Sequence, residues 1–96
     1  MAKTNSFQVG FTNEIREEVY NFQNGICKNC LSAIVEFHHM LHNTKVNHSL
    51  FPLFVNSIFN CCGLCRNCHE KFPHLYKITT QQAAAYEWYL KVLKET

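Results

Sequence analysis

Asn60-Cys61-Cys62-Gly63-Leu64-Cys65-Arg66-Asn67-Cys68-His69 decides the fold, because it closes on a Cys-x-x-Cys turn followed at once by a histidine. A second such turn lies upstream at Cys27-Lys28-Asn29-Cys30, and the doublet His38-His39 stands between the two. Each turn presents two sulfurs to one ion. Four thiolates satisfy Zn²⁺ tetrahedrally and leave no position for water or substrate. The spacing therefore predicts a closed structural zinc site on Cys27, Cys30, Cys65 and Cys68, and a separate imidazole site able to do chemistry. A redox motif would need only one pair. Cys61 and Cys62 fall outside the pattern and read as small apolar strand residues, with substitution for a ligand as the other reading.

The bulk of the chain agrees with a metal staple. Ninety-six residues with no Gly/Ser-rich or Pro-rich seam predict one domain over 1–96, small enough that hydrophobic burial alone leaves it marginal. Six cysteines can staple such a domain as disulfides or as metal ligands. Met1-Ala2-Lys3-Thr4-Asn5-Ser6 opens no apolar signal segment, which sets the expectation of a cytoplasmic protein with reduced thiols and no membrane partner. Net charge is +2, and all seven acidic residues are Glu. Without Asp, a carboxylate-clustered two-metal site is hard to build, so metal chemistry must lean on histidine.

Local patterns place these motifs. Thr12 or Asn13 caps a helix with Ile15, Val19 and Phe22 on one face, stopped by Asn24-Gly25. Residues 33–40 are rich in β-branched and aromatic side chains and predict a strand ending in the two histidines. Residues 41–57 read as a loop, and its apolar run Phe51 to Val55 as packing over the zinc module or a partner-docking patch. A second strand is expected over 58–64 and a short helix from Arg66 to Phe72, stopped by Pro73. Thr79-x-x-Gln82 opens a last helix to about Lys94 with Ala83, Tyr86, Leu90 and Leu93 along one stripe. Residues 1–11 read as a loosely held arm. The expected fold is a small α+β zinc-stabilised domain flanked by N- and C-terminal helices.

Across about residues 22–74, these elements in this order resemble the zinc-stapled, four-cysteine branch of the HNH endonuclease family, also called ββα-metal or His-Me finger nucleases. The match runs Cys-x-x-Cys, a His pair, then Asn60 five residues before Cys65 and nine before His69. The resemblance implies a ββα-metal, treble-clef-like core and metal-dependent hydrolysis of DNA phosphodiester bonds. It implies that His39 is the general base, that Asn60 braces the intervening loop, and that His38 and His69 bind a catalytic divalent ion. Residue chemistry is compatible: neutral imidazole takes a proton at physiological pH, and adjacent strand residues point to opposite sides, suiting His38 and His39 to different jobs.

Glu36, two residues before His38, shares its face and can fix a ligand histidine's tautomer. The position four after His69, often a third ligand in the family, is Pro73, which cannot ligate. His74 follows it, as a third ligand or a solvent-facing histidine. The ion expected is Mg²⁺, Mn²⁺, Ni²⁺, Co²⁺ or Zn²⁺. Arg66 and Lys71 are the expected DNA phosphate contacts, while His42 and His48 read as surface residues. So short a chain leaves sequence specificity to a homodimer, to a phage or restriction partner protein, or low. The rival reading is a non-catalytic treble-clef zinc module that binds DNA or protein, for which the four cysteines alone suffice.

Overall fold

The computed structural model describes residues 10–95. Its elements are α1 (Asn13–Phe22), β1 (Glu36–His39), α2 (Lys45–Leu50), β2 (Cys61–Leu64), α3 (Arg66–Lys71) and α4 (Thr80–Glu95), with 3₁₀ turns at Ile58–Asn60 and Pro73–Leu75. The described residues thus form a small α+β domain: a two-stranded antiparallel sheet, four α-helices and a four-cysteine cluster. No helix of the described residues is long and apolar enough to cross a membrane.

Thr12 starts α1, its hydroxyl accepting the Ile15 N–H at 3.2 Å. Asn24 (φ 57°) and Gly25 (φ 71°) end it in the left-handed region. Glycine is required at position 25 on two counts, since a Cβ there would also lie 2.8 Å from the Tyr20 hydroxyl. Only the middle of the helix packs: Val19 and Ile15 join Phe11, Ile58 and Cys61. Phe22, expected on that face, is 82% exposed, although Gln23 beside it still reaches the sheet at Gly63. At the start of the described chain, Phe11 corrects the expectation of a loose arm, being buried against this cluster. The rest of that expectation, over 1–9, lies outside the described residues.

The strands pair Glu36 with Leu64, Phe37 with Gly63, His38 with Cys62 and His39 with Cys61. Both are shorter than the sequence predicts. Ala33 instead bridges Ile26, and Cys27 N–H donates to Ser32 C=O at 2.8 Å, so the first cysteine pair sits in a tight loop of its own. Residues 58–60 wind into a 3₁₀ turn rather than extending the second strand. On the outer edge of β2, Gly63 C=O accepts the Lys28 N–H at 3.0 Å and Gln23 Nε2 at 3.0 Å, and Gln23 Oε1 accepts the Gly63 N–H at 2.9 Å. These bonds occupy the edge that would otherwise invite another strand.

The expected loop over 41–57 contains α2, which corrects that reading. Thr44 caps it by accepting the Asn47 N–H at 3.1 Å. None of its residues is buried, so no apolar stripe announces it. The run Phe51 to Val55 does pack, but not over the cysteines: Phe51, Phe54 and Val55 cluster with Leu41 and with Ala83 of α4. That helix opens on the expected capping box, Gln82 N–H donating to Thr79 Oγ1 at 3.1 Å and Thr79 N–H to Gln82 Oε1 at 2.9 Å. Tyr86 stacks on both Phe54 and Phe59. Leu93 of the expected stripe is half exposed, and the buried residue on that helix besides Ala83 is Glu87.

Candidate functional site

Two Cys-x-x-Cys turns converge as their spacing requires. The ligand atoms of Cys27, Cys30, Cys65 and Cys68 all lie within 4.8 Å of one another, close enough to hold a metal ion such as zinc. Each sulfur also receives an N–H: Cys27 from the Asn29 backbone at 3.4 Å, Cys30 from Ser32 at 3.4 Å, Cys65 from Cys68 at 3.4 Å, and Cys68 from the Asn29 side chain at 3.3 Å. Such donors favour the thiolate form, which is the form that binds metal. The Ser32 hydroxyl and N–H pull Cys30 down to about 6, while Cys68, despite the Asn29 donor, is pushed up to about 12 by burial and the neighbouring thiols, as expected where four sulfurs crowd with their protons on. Burial also pushes Cys61 up to about 12 and Cys62 up to about 11. They are apolar thiols of β2, as the spacing suggests. The donor set therefore fits Zn²⁺ in a closed, structural site.

The second site is built on β1 and α3. Glu36 and His38 project to one side of β1, and α3 brings His69 against them. His69 Nδ1 lies 2.7 Å from Glu36 Oε1, and His38 Nε2 lies 2.8 Å from the carbonyl oxygen of Tyr76. Carboxylate and carbonyl only accept, so the protons sit on His69 Nδ1 and His38 Nε2, leaving lone pairs on His69 Nε2 and His38 Nδ1. The two rings meet edge to face with centroids 5.1 Å apart. The result is a pair of imidazoles, each held in one tautomer by a second group. The His69 contact also holds the Glu36 carboxyl below its usual range.

His39 is held differently. Its Nε2–H donates to Asn56 Oδ1 at 2.8 Å and its ring stacks on Phe11 with centroids 3.9 Å apart, leaving Nδ1 with the lone pair. Burial pulls both His38 and His39 below the ordinary imidazole value, so both are neutral at pH 7. Asn60 is fully buried. Its Oδ1 accepts the Leu41 N–H at 2.6 Å, and its Nδ2 donates to Leu41 C=O at 3.0 Å and Val55 C=O at 2.8 Å. It ties together the two ends of the segment between the strands.

The remaining predicted residues fall at the margin. Arg66 Nε donates to Glu36 Oε2 at 3.2 Å from an exposed position, and Lys71 is exposed at the end of α3. His74 is exposed, its ring tilted against Phe72. The four cysteines are the only set of three or more mutually close donors among the described residues, so His74 does not join His38 and His69 in one. His42 is exposed, and His48 contacts Asn43. Sequence reasoning missed Asn56, Phe11 and Tyr76. Tyr76 links the two sites: its carbonyl holds His38, and its hydroxyl donates to Asn29 Oδ1 at 2.8 Å, while Asn29 Nδ2 donates to Cys68. A backbone carbonyl leaves no mark on a sequence, and an asparagine among several loop breakers does not stand out. Comparison with protein-family models, curated proteins and solved structures found no match to this chain.

Proposed function

We propose that this chain is a small metal-dependent DNA endonuclease of the HNH class, with β1, β2 and α3 as a ββα-metal, treble-clef-like core stapled by zinc on Cys27, Cys30, Cys65 and Cys68. One observation carries the reading: three histidines around one strand are each held in a defined tautomer by a different partner. A purely structural zinc module has no use for that arrangement, whereas hydrolysis needs a base and an ion site prepared in advance. His39 Nδ1 takes a proton from the attacking water, and Asn56 opposite holds the ring in the tautomer that leaves this nitrogen free. His38 Nδ1 and His69 Nε2 would hold the divalent ion, which when bound supplies charge stabilisation at the scissile phosphate and the leaving 3′ oxygen. Glu36 and the Tyr76 carbonyl keep those two imidazoles oriented. Arg66 and Lys71 on α3 provide positive charge for the DNA backbone.

The metal half is tested by rescue. His38→Ala and His69→Ala lower plasmid cleavage, and raising Mn²⁺, Co²⁺ or Ni²⁺ restores part of it, since the remaining imidazole and phosphate oxygens still bind an ion weakly. Loss that no metal concentration relieves argues against ligand roles. The base half sets the pH profile. Because burial holds His39 below the usual 6.5, its neutral form persists to lower pH, and the acid limb of cleavage falls below that value. An acid limb well above 6.5 contradicts His39 as the base.

A second reading is favoured by one observation. The cysteines form a complete ligand set, while the imidazoles offer two donors. On that reading the chain is a non-catalytic zinc module that binds DNA or protein. It predicts DNA or protein binding with no cleavage under any metal.

A further inference from the structure

Glu87 is a buried carboxylate on α4 that the functional reading above does not use; it is 4% exposed. A buried carboxylate is costly unless hydrogen bonds repay its desolvation, and an apolar residue there would pack against the Leu41, Phe54 and Ala83 cluster without that cost. Its partners are backbone amides of the segment leading to the second strand. Leu53 N–H points at both oxygens, 3.0 Å from Oε1 and 3.2 Å from Oε2, and Phe54 N–H donates to Oε1 at 2.8 Å. The next two residues belong to the imidazole site: Val55 C=O accepts from Asn60 Nδ2, and Asn56 Oδ1 holds His39.

We propose that Glu87 is a positioning residue for His39, acting through the turn 53–56 and Asn56. Burial of Phe54 and Val55 and the turn's own hydrogen bonds to Phe51 and Phe54 C=O hold its shape, and Glu87 adds directed bonds that fix it against α4. Directed hydrogen bonds to two successive amides resist rotation, and rotation of this turn is what would swing Asn56 Oδ1 away from the imidazole. The base is therefore oriented from two sides of the loop, by Asn60 on the strand side and by Glu87 on α4. The effect on cleavage rests on the nuclease reading; the positioning of the imidazole does not.

The test reads the His39 ring nitrogens by imidazole ¹⁵N NMR in the zinc-loaded chain. Wild type shows His39 with its proton on Nε2. In Glu87→Ala, which leaves both amides unpaired, His39 becomes a mixture of Nε2–H and Nδ1–H forms; Glu87→Gln, whose Oε1 still accepts from both amides, stays near wild type. The signals of His38 and His69 and the zinc content stay as in wild type. In an Asn56→Ala background, Glu87→Ala changes the His39 signals no further, since the path is already cut. Should Glu87→Ala not fold, Glu87→Met, which fills similar space without an oxygen acceptor, decides instead. His39 unchanged in whichever acceptor-free variant folds, or equally affected with and without Asn56, overturns the proposal. In the cleaving protein, Glu87→Ala costs roughly ten- to a hundredfold in rate. A tautomer shift in a protein that cleaves no DNA supports the Glu87 assignment and removes the nuclease reading instead.

Discussion

Cys65→Ser yields a chain that neither retains zinc nor unfolds cooperatively at ambient temperature. Cys65 is one of the four converging sulfurs, and it also caps α3, its Sγ accepting the Cys68 N–H. Serine preserves the cap, so the variant isolates loss of the soft thiolate ligand. A structural zinc site contributes on the order of 10 kcal/mol or more of apparent binding energy, comparable with or above the roughly 5–15 kcal/mol net stability of a whole domain. Losing it therefore removes most of the stability of so small a core. Elemental analysis and thermal melting followed by circular dichroism measure both effects, with wild type expected to carry about one zinc per chain. Cys61→Ser is the control: its thiol lies outside the ligand set, so zinc content stays unchanged. A Cys65→Ser chain that melts like wild type contradicts the structural role.

His39→Ala lowers DNA cleavage by about 10²-fold or more, the usual worth of a general base, while zinc content and DNA affinity stay close to wild type. The base acts on the barrier, so its loss leaves ground-state binding in place. Among the described residues the imidazole bonds to Asn56 and stacks on Phe11, so truncating it leaves Asn60 and the cysteine cluster intact. Single-turnover cleavage and DNA-binding titration on the same preparation separate the two quantities. If His39→Ala cleaves normally and His42→Ala or His48→Ala does not, the base has been misassigned.

What the sequence made legible was local chemistry. Both Cys-x-x-Cys turns, the Thr12 cap, the Asn24-Gly25 stop and the Thr79/Gln82 capping box each depend on residues within a few positions, and all form as expected. What stayed hidden depends on distant partners. No residue of α2 is buried, so periodicity is silent and only Thr44 and Asn47 mark its start. Phe22 has the right spacing for a buried face yet stands exposed, which spacing alone does not reveal. Phe51 to Val55 was legible as packing, yet which surface it meets is decided by α4, about thirty residues further along. Glu87 reads as a solvated helix charge until Leu53 and Phe54 are seen to turn their amides toward it. The imidazole site divides the same way: its histidines are in the motif, while Asn56 and the Tyr76 carbonyl, which set their tautomers, come from tertiary structure alone.

The most direct measurement of the central claim is incubation of supercoiled plasmid with the zinc-loaded chain, with and without added divalent ion, followed by chelation strong enough to empty a two-imidazole site but not the four-cysteine site. The account predicts nicked or linear DNA with Mn²⁺, Co²⁺, Ni²⁺, Zn²⁺ or Mg²⁺, and no cleavage after chelation while the fold and its zinc remain. Plasmid that stays supercoiled under every ion, with DNA nonetheless bound by a folded zinc-loaded chain, contradicts the nuclease and leaves the binding module.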